Sequence, residues 1–87
     1  MNEDIDSYTI QLKKTQNLIF IFISSKYKIN IDYCLAKFDP HLNRYYISEI
    51  FTKSASEILV YHNIIEQINQ DSVPEFVLTK QALISLL

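Results

Sequence analysis

The sequence predicts a small α+β domain: an antiparallel β-meander of three to four strands, a long amphipathic helix on one face, and a C-terminal apolar segment or short helix. Three observations lead there. Between residues 8 and 52, β-branched and aromatic residues run in short segments separated by polar turns. From Ser54 onward the apolar spacing changes from two residues to three and four. The last dozen residues then return to a nearly continuous apolar run. A length of 87 residues leaves room for one core, so 1–87 reads as a single domain with residues 1–6 expected to be frayed or disordered.

The first segment alternates Tyr8, Ile10 and Leu12 with Thr9, Gln11 and Lys13, the pattern of a strand with one buried face. Ile5, Tyr8 and Leu12 also share a helical face, so a short N-terminal helix stays open as the alternative. Lys14 to Asn17 reads as a turn. Leu18 to Ser24 is apolar on both faces, as expected of a central strand covered on both sides. Tyr27, Ile29, Ile31, Tyr33 and Leu35 then alternate with Lys28, Asn30, Asp32, Cys34 and Ala36, a half-buried strand whose tyrosine and isoleucine face is expected inside. The phase breaks over Leu35 to Phe38, which suits a β-bulge. Asp39 to Asn43 reads as a turn, with Pro40 fixing φ and Asn43 able to adopt the left-handed conformation. Arg44 to Thr52 returns as a strand, with Tyr45, Ile47 and Phe51 on one face and Tyr46 and Ile50 on the other.

Ser54-Ala55-Ser56-Glu57 fits a capping box and predicts the start of the helix. Ile58, Tyr61, Ile64, Ile65 and Ile68 form its apolar stripe, opposite Asn63, Glu66, Gln67 and Gln70. The helix is expected to end near Asp71, because Pro74 holds Val73 extended. Two readings of the tail stay open. Either Phe76 to Leu87 is one helix, or Glu75 to Leu78 is extended and Thr79 caps a short helix with Ala82, Leu83, Leu86 and Leu87 on one side.

Composition excludes several function classes. With no glycine, neither a Walker loop nor a dinucleotide-binding turn can be built, because only glycine lets the backbone approach phosphates closely. One cysteine makes neither a disulfide framework nor a cysteine-rich zinc site. A formal charge of −2 and a pI near 5.5 argue against a grip on nucleic acid driven by charge alone. The excess of Ile, Asn, Lys, Tyr and Phe over Gly, Ala, Arg and Pro points to an AT-rich genome, such as that of an organelle, a low-GC bacterium, a phage or a protist. The acidic opening lacks the basic flank and apolar stretch of a secretory signal, and the longest apolar run, Leu18 to Ile23, is far shorter than a membrane span. A cytoplasmic or organelle-matrix location is the expectation.

The reactive side chains are few. Cys34 lies mid-strand on the polar phase, His41 in a proline turn, and His62 beside the helix stripe, with no HxxxH or HxH spacing. Nothing in the sequence juxtaposes thiol and imidazole as nucleophilic catalysis requires, so no catalytic residue, metal site or cofactor is expected. Six tyrosines without tryptophan are the conspicuous excess. Tyrosine is enriched at protein interfaces, where it supplies large area at low entropic cost. The expected function is therefore a non-enzymatic protein–protein interaction module, an assembly subunit, adaptor or inhibitor, acting on another protein and self-associating as a homo-oligomer. Tyr45, Tyr46, Ile50, Leu86 and Leu87 are the candidate interface. The alternative is an RNA- or DNA-contacting protein that stacks bases on sheet tyrosines.

Overall fold

The computed structural model describes residues 7–25, 31–50 and 52–87, with the side chains of 31 and 32 left aside. The expected ends at 1–6, the strand start at 27–30 and Phe51 lie outside the described residues. The described chain is mostly antiparallel sheet. Six strands, β1 (Tyr8–Thr15), β2 (Leu18–Ser25), β3 (Ile31–Asp39), β4 (Arg44–Glu49), β5 (Ile65–Gln67) and β6 (Phe76–Leu78), form one curled half-barrel in the order β1-β2-β3-β4-β6-β5. Two short helices, α1 (Lys53–Tyr61) and α2 (Lys80–Ile84), contribute Ala55, Ile58, Leu59 and Ala82 to the core against the sheet's inner face. This corrects the expected fold: the meander is the first two-thirds of a larger sheet, and no long helix covers it.

The long helix fails at one residue. Asn63 adopts φ 62°, a left-handed conformation that ends α1 at once. The Asn63 N–H donates to the Val60 carbonyl at 3.0 Å and the Ile64 N–H reaches back to Leu59 at 2.9 Å, the paired bonds of a Schellman stop. Ile64 and Ile65 are β-branched, and released from the helix they favour extended backbone. Ile65 enters β5, where it is buried at register with Leu78, and Ile68 is exposed in the loop beyond. The helix also starts two residues before the expected box: Thr52 is the N-cap, its hydroxyl accepting from the Ala55 N–H at 3.0 Å.

Other expectations resolve simply. Residues 8–15 form a strand, so the N-terminal helix is not taken up within the described residues. The β1–β2 turn shrinks to Gln16 and Asn17, because Thr15 already pairs with Leu18. Asn43 is left-handed at φ 52°, as anticipated, and the Asp39 carboxylate accepts from the His41 and Leu42 N–H groups at 2.8 and 3.3 Å. A register shift falls between Leu35 and Ala36, beside the expected bulge, but its extra residue is Ser48 on β4, and β3 itself keeps its alternation from Tyr33 to Lys37. β4 stops at Glu49, short of the expected Thr52. In the tail the second reading holds: Phe76–Leu78 is a strand, and the Thr79 hydroxyl caps α2 by accepting from the Ala82 N–H at 3.1 Å. Of the four apolar residues expected on one side of α2, only Ala82 and Leu86 turn to the core, while Leu83 and Leu87 are exposed.

The most consequential correction concerns β3. Cys34 and Ala36, expected outside, are 0% exposed, whereas Tyr33, expected inside, is 41% exposed. The reason is register. Cys34 sits opposite Ile21 and Ala36 opposite Ile19, and residues directly opposite on antiparallel strands share a face. The β2 isoleucines fill the core volume, so small neighbours fit beside them where Tyr33 and Leu35 would overpack. Consequently β2 is covered by the core on one side only.

Candidate functional site: the outer sheet face

With the isoleucines inward, the aromatic half of β2 turns outward. The pairing registers align the outer face in rows across the strands. One row is Gln11, Phe22, Tyr33; the next is Lys13, Phe20, Leu35, Glu49; the third is Thr15, Leu18, Lys37, Tyr46. Leu18, Phe20, Phe22, Tyr33 and Leu35 therefore form one contiguous apolar patch on the adjacent interior strands β2 and β3. The Phe20 and Phe22 rings stack at 12° with centroids 6.1 Å apart, and Phe22 meets Tyr33 across strands at 6.3 Å. Phe20, Phe22, Leu18 and Leu35 are half-buried and Tyr33 is exposed. A water-facing side of an antiparallel sheet ordinarily alternates to polar residues. This one does so only on β1 and at the ends of the patch.

Past β4 the outer face is closed by polar contacts. Arg44 crosses β6 to pair with Glu66 at 2.6 Å and donates to the Leu78 carbonyl at 3.0 Å. The Tyr46 hydroxyl donates to Glu75 at 3.4 Å. Val77, in register with both Tyr46 and Glu66, is fully buried in this setting. Asn69 shapes the β5–β6 loop: its side-chain oxygen accepts from the Glu75 N–H at 2.7 Å, and its amide donates to the Val73 carbonyl at 3.1 Å and to Glu75 at 3.2 Å.

A groove lies where β4 and β6, paired at Tyr46 and Val77, diverge beside α1. This open groove of about 1110 Å³ is lined by apolar Ile47, Ile50, Val60 and Phe76 among serines and threonine, with Lys53 and Glu57 on its helix wall. Opposite charges on adjacent helical turns leave it without a dominant sign.

The anticipated interface residues are divided by this geometry. Tyr45 and Leu86 pack against the core, Tyr46 and Ile50 line the groove, Ile50 also touching the core, and Leu87 is 100% exposed. Tyr8 packs inward with Tyr45, so the sheet tyrosines do not gather on one surface. Sequence reasoning missed Phe20, Phe22, Tyr33 and Leu35 as surface residues. The available signal was β1, whose Gln11 and Lys13 mark which side of β2 must face water. Of the reactive groups, Cys34 is sealed in the core, His41 lies in an exposed turn, and His62 ends α1 with its ring edge-on to Tyr61 at 5.2 Å. Among the described residues no three His, Cys, Asp or Glu side chains gather as a metal site requires, and no helix is long and apolar enough to cross a membrane. Comparison with family models, curated proteins and solved structures finds no match to this chain.

Proposed function

We propose that this chain is a non-enzymatic protein-binding module, an assembly subunit, adaptor or inhibitor, that docks its partner on the outer face of β2 and β3. The observation that carries the reading is the contiguous patch of Leu18, Phe20, Phe22, Tyr33 and Leu35 on a face that the fold itself leaves open among the described residues. Contiguous apolar surface rimmed by polar residues is the physical mark of an interaction site. Here Thr9, Gln11, Lys13, Thr15 and Lys37 form the rim. Rigid aromatic rings are efficient anchors because little rotamer entropy is lost on docking. Burial of Cys34 argues against thiol catalysis, since a nucleophile must reach its substrate.

Phe22→Thr tests the reading. Threonine keeps strand propensity while removing the central ring. Affinity purification from the native source, quantified by mass spectrometry beside the unchanged chain, is expected to lose the specific partner with the melting transition retained. Identical captured proteins and an identical elution volume for both chains would refute the docking face.

Nucleic-acid binding is the second reading, favoured by Lys13 and Lys37 beside the stacked rings. Base stacking on such a platform with lysines on the phosphates gives affinity that falls steeply with salt. The acidic net charge and the division of the tyrosines between two faces weigh toward protein. A salt-sensitive shift of labelled single-stranded RNA or DNA, lost in Phe22→Thr, would reverse that order.

A further inference from the structure

We propose that the outer face is occupied by a second copy of this chain, stacked face to face about a two-fold axis that runs along the strands between β2 and β3. This rests on the docking reading above and names its partner and geometry.

Register carries the arrangement. Lys13, Phe20, Leu35 and Glu49 stand in a single row across β1, β2, β3 and β4. A half-turn about the stated axis reverses strand order, so β1 of one copy lies over β4 of the other and β2 over β3. Lys13 then faces Glu49 of the second copy, Phe20 faces Leu35, and symmetry repeats both contacts. In the neighbouring row Phe22 faces Tyr33. At the rim Lys37 lies over Leu18, where its stem covers the leucine and its ammonium reaches water. The row reads cation, apolar, apolar, anion, and that order is self-complementary under this one operation, as an isologous interface requires. A foreign partner would have to bring its own acid and base at matching distances from the axis.

Lys13 and Glu49 are available for this. Among the described residues neither forms an ion pair within the chain. Three strand spacings separate them, roughly 14 Å, which no direct bridge spans within one sheet. Size sets the expected strength. Four strands by the three aligned rows span at most roughly 400 Å² of sheet plane, and on the convex side of a curled sheet the strands nearest the axis meet first. The contact therefore lies below the roughly 800 Å² per partner of a standard stable interface. The dimer is therefore reversible and concentration-dependent.

Sedimentation equilibrium at low ionic strength, over a protein range of about 1 to 500 µM, tests the arrangement with Lys13→Glu, with Glu49→Lys, and with the two variants mixed. The unchanged chain is expected to show a reversible monomer–dimer equilibrium that weakens with salt. Each single variant places like charges opposite each other twice per dimer and is expected to raise the dissociation constant at least about fivefold. The equimolar mixture is expected to restore association as a heterodimer, because the new carboxylate at position 13 meets the new ammonium at position 49 while the native pair forms on the other side. Melting curves confirm that both variants fold. A monomer at every concentration, a dimer indifferent to either charge reversal, or singles weakened without rescue in the mixture would each overturn the proposal. If the chain is monomeric yet Phe22→Thr loses its captured partner, the second copy falls and the docking face stands. If Phe22→Thr changes neither self-association nor capture, the docking face falls as well.

Discussion

Replacing Asn63 tests the feature on which the architecture turns. At φ 62° this residue ends α1 and releases Ile64 and Ile65 into β5. Alanine at a left-handed position pays roughly 1–2 kcal/mol for the approach of Cβ to the following carbonyl, a cost asparagine escapes in part and glycine escapes entirely. Asn63→Ala also loses the amide contact with Gln81 on the protein surface, a minor term in solvent. The expected loss is about 1–1.5 kcal/mol, a fall in melting temperature of about 4–12 °C for a domain of this size. Asn63→Gly surrenders the same amide contact but gains freedom at φ, so it should lie within about 0.5 kcal/mol of the native residue. A continuous helix through residue 63 demands the opposite order, since alanine would gain about 0.5–0.7 kcal/mol over asparagine and glycine would lose. Thermal melts by circular dichroism of the three proteins read this rank directly. If alanine melts highest and glycine lowest, the Schellman stop and the strand that follows it are wrong.

Further predictions address the core and the second cap. Thr79→Ala removes the acceptor for the Ala82 N–H and the donor to the Asn63 carbonyl at a buried position; a loss of about 1–2 kcal/mol in urea unfolding is expected, largely recovered by Thr79→Ser. Ile21→Ala empties the fully buried centre of β2 and should cost about 2–5 kcal/mol; a loss below about 1 kcal/mol would contradict the inward placement of that face. Cys34 should react with a bulky disulfide reagent only on the timescale of unfolding, since its thiol is sealed beside Ile21; prompt stoichiometric labelling of the folded chain would place β3 the other way round.

How far the sequence could be read depends on whether the signal is local. β1, the Asp39–Asn43 turn and the Thr79 cap each rest on a few neighbouring residues, and each is where the spacing places it, whereas the bulge read into β3 falls on its partner β4 at Ser48. The helix from 54 to 70 was misread because Ile58, Ile64, Ile65 and Ile68 satisfy a helical period while Asn63, between them, carries the stop. Asparagine is an acceptable if poor helix residue, and only its pairing with two β-branched neighbours distinguishes a terminus from an interior position. β6 adds a non-local difficulty. Three residues, Phe76 to Leu78, are all buried, on β6 between β4 and β5, and a run that short has no period to read. The orientation of β3 was hidden for the same reason: judged alone, Tyr33 and Leu35 look more buried than Cys34 and Ala36, and only pairing with β2 reverses the choice. The apolar outer patch went unseen with it.

What fixes the two faces of β2 is its edge neighbour. Gln11 and Lys13 stand in register with Phe22 and Phe20, while Ile10 and Leu12 stand with Ile23 and Ile21. Turning the aromatic side inward would bury an ammonium and an amide without partners, at several kcal/mol, so the isoleucine side must be the core. That explains why the rings point out; it does not explain why rings are there. Cross-strand pairing contributes only about 0.2–1 kcal/mol per contact, and threonine or valine at positions 20 and 22 would serve the isolated sheet equally well. A coding bias toward AT would supply phenylalanine, but it would supply lysine and asparagine as readily, and these would suit a water-facing position better. Outward rings on β2 and β3, flanked in one row by a cation and an anion, are therefore costly to an isolated monomer and useful to one that stacks, and the mixed-variant experiment separates these two cases.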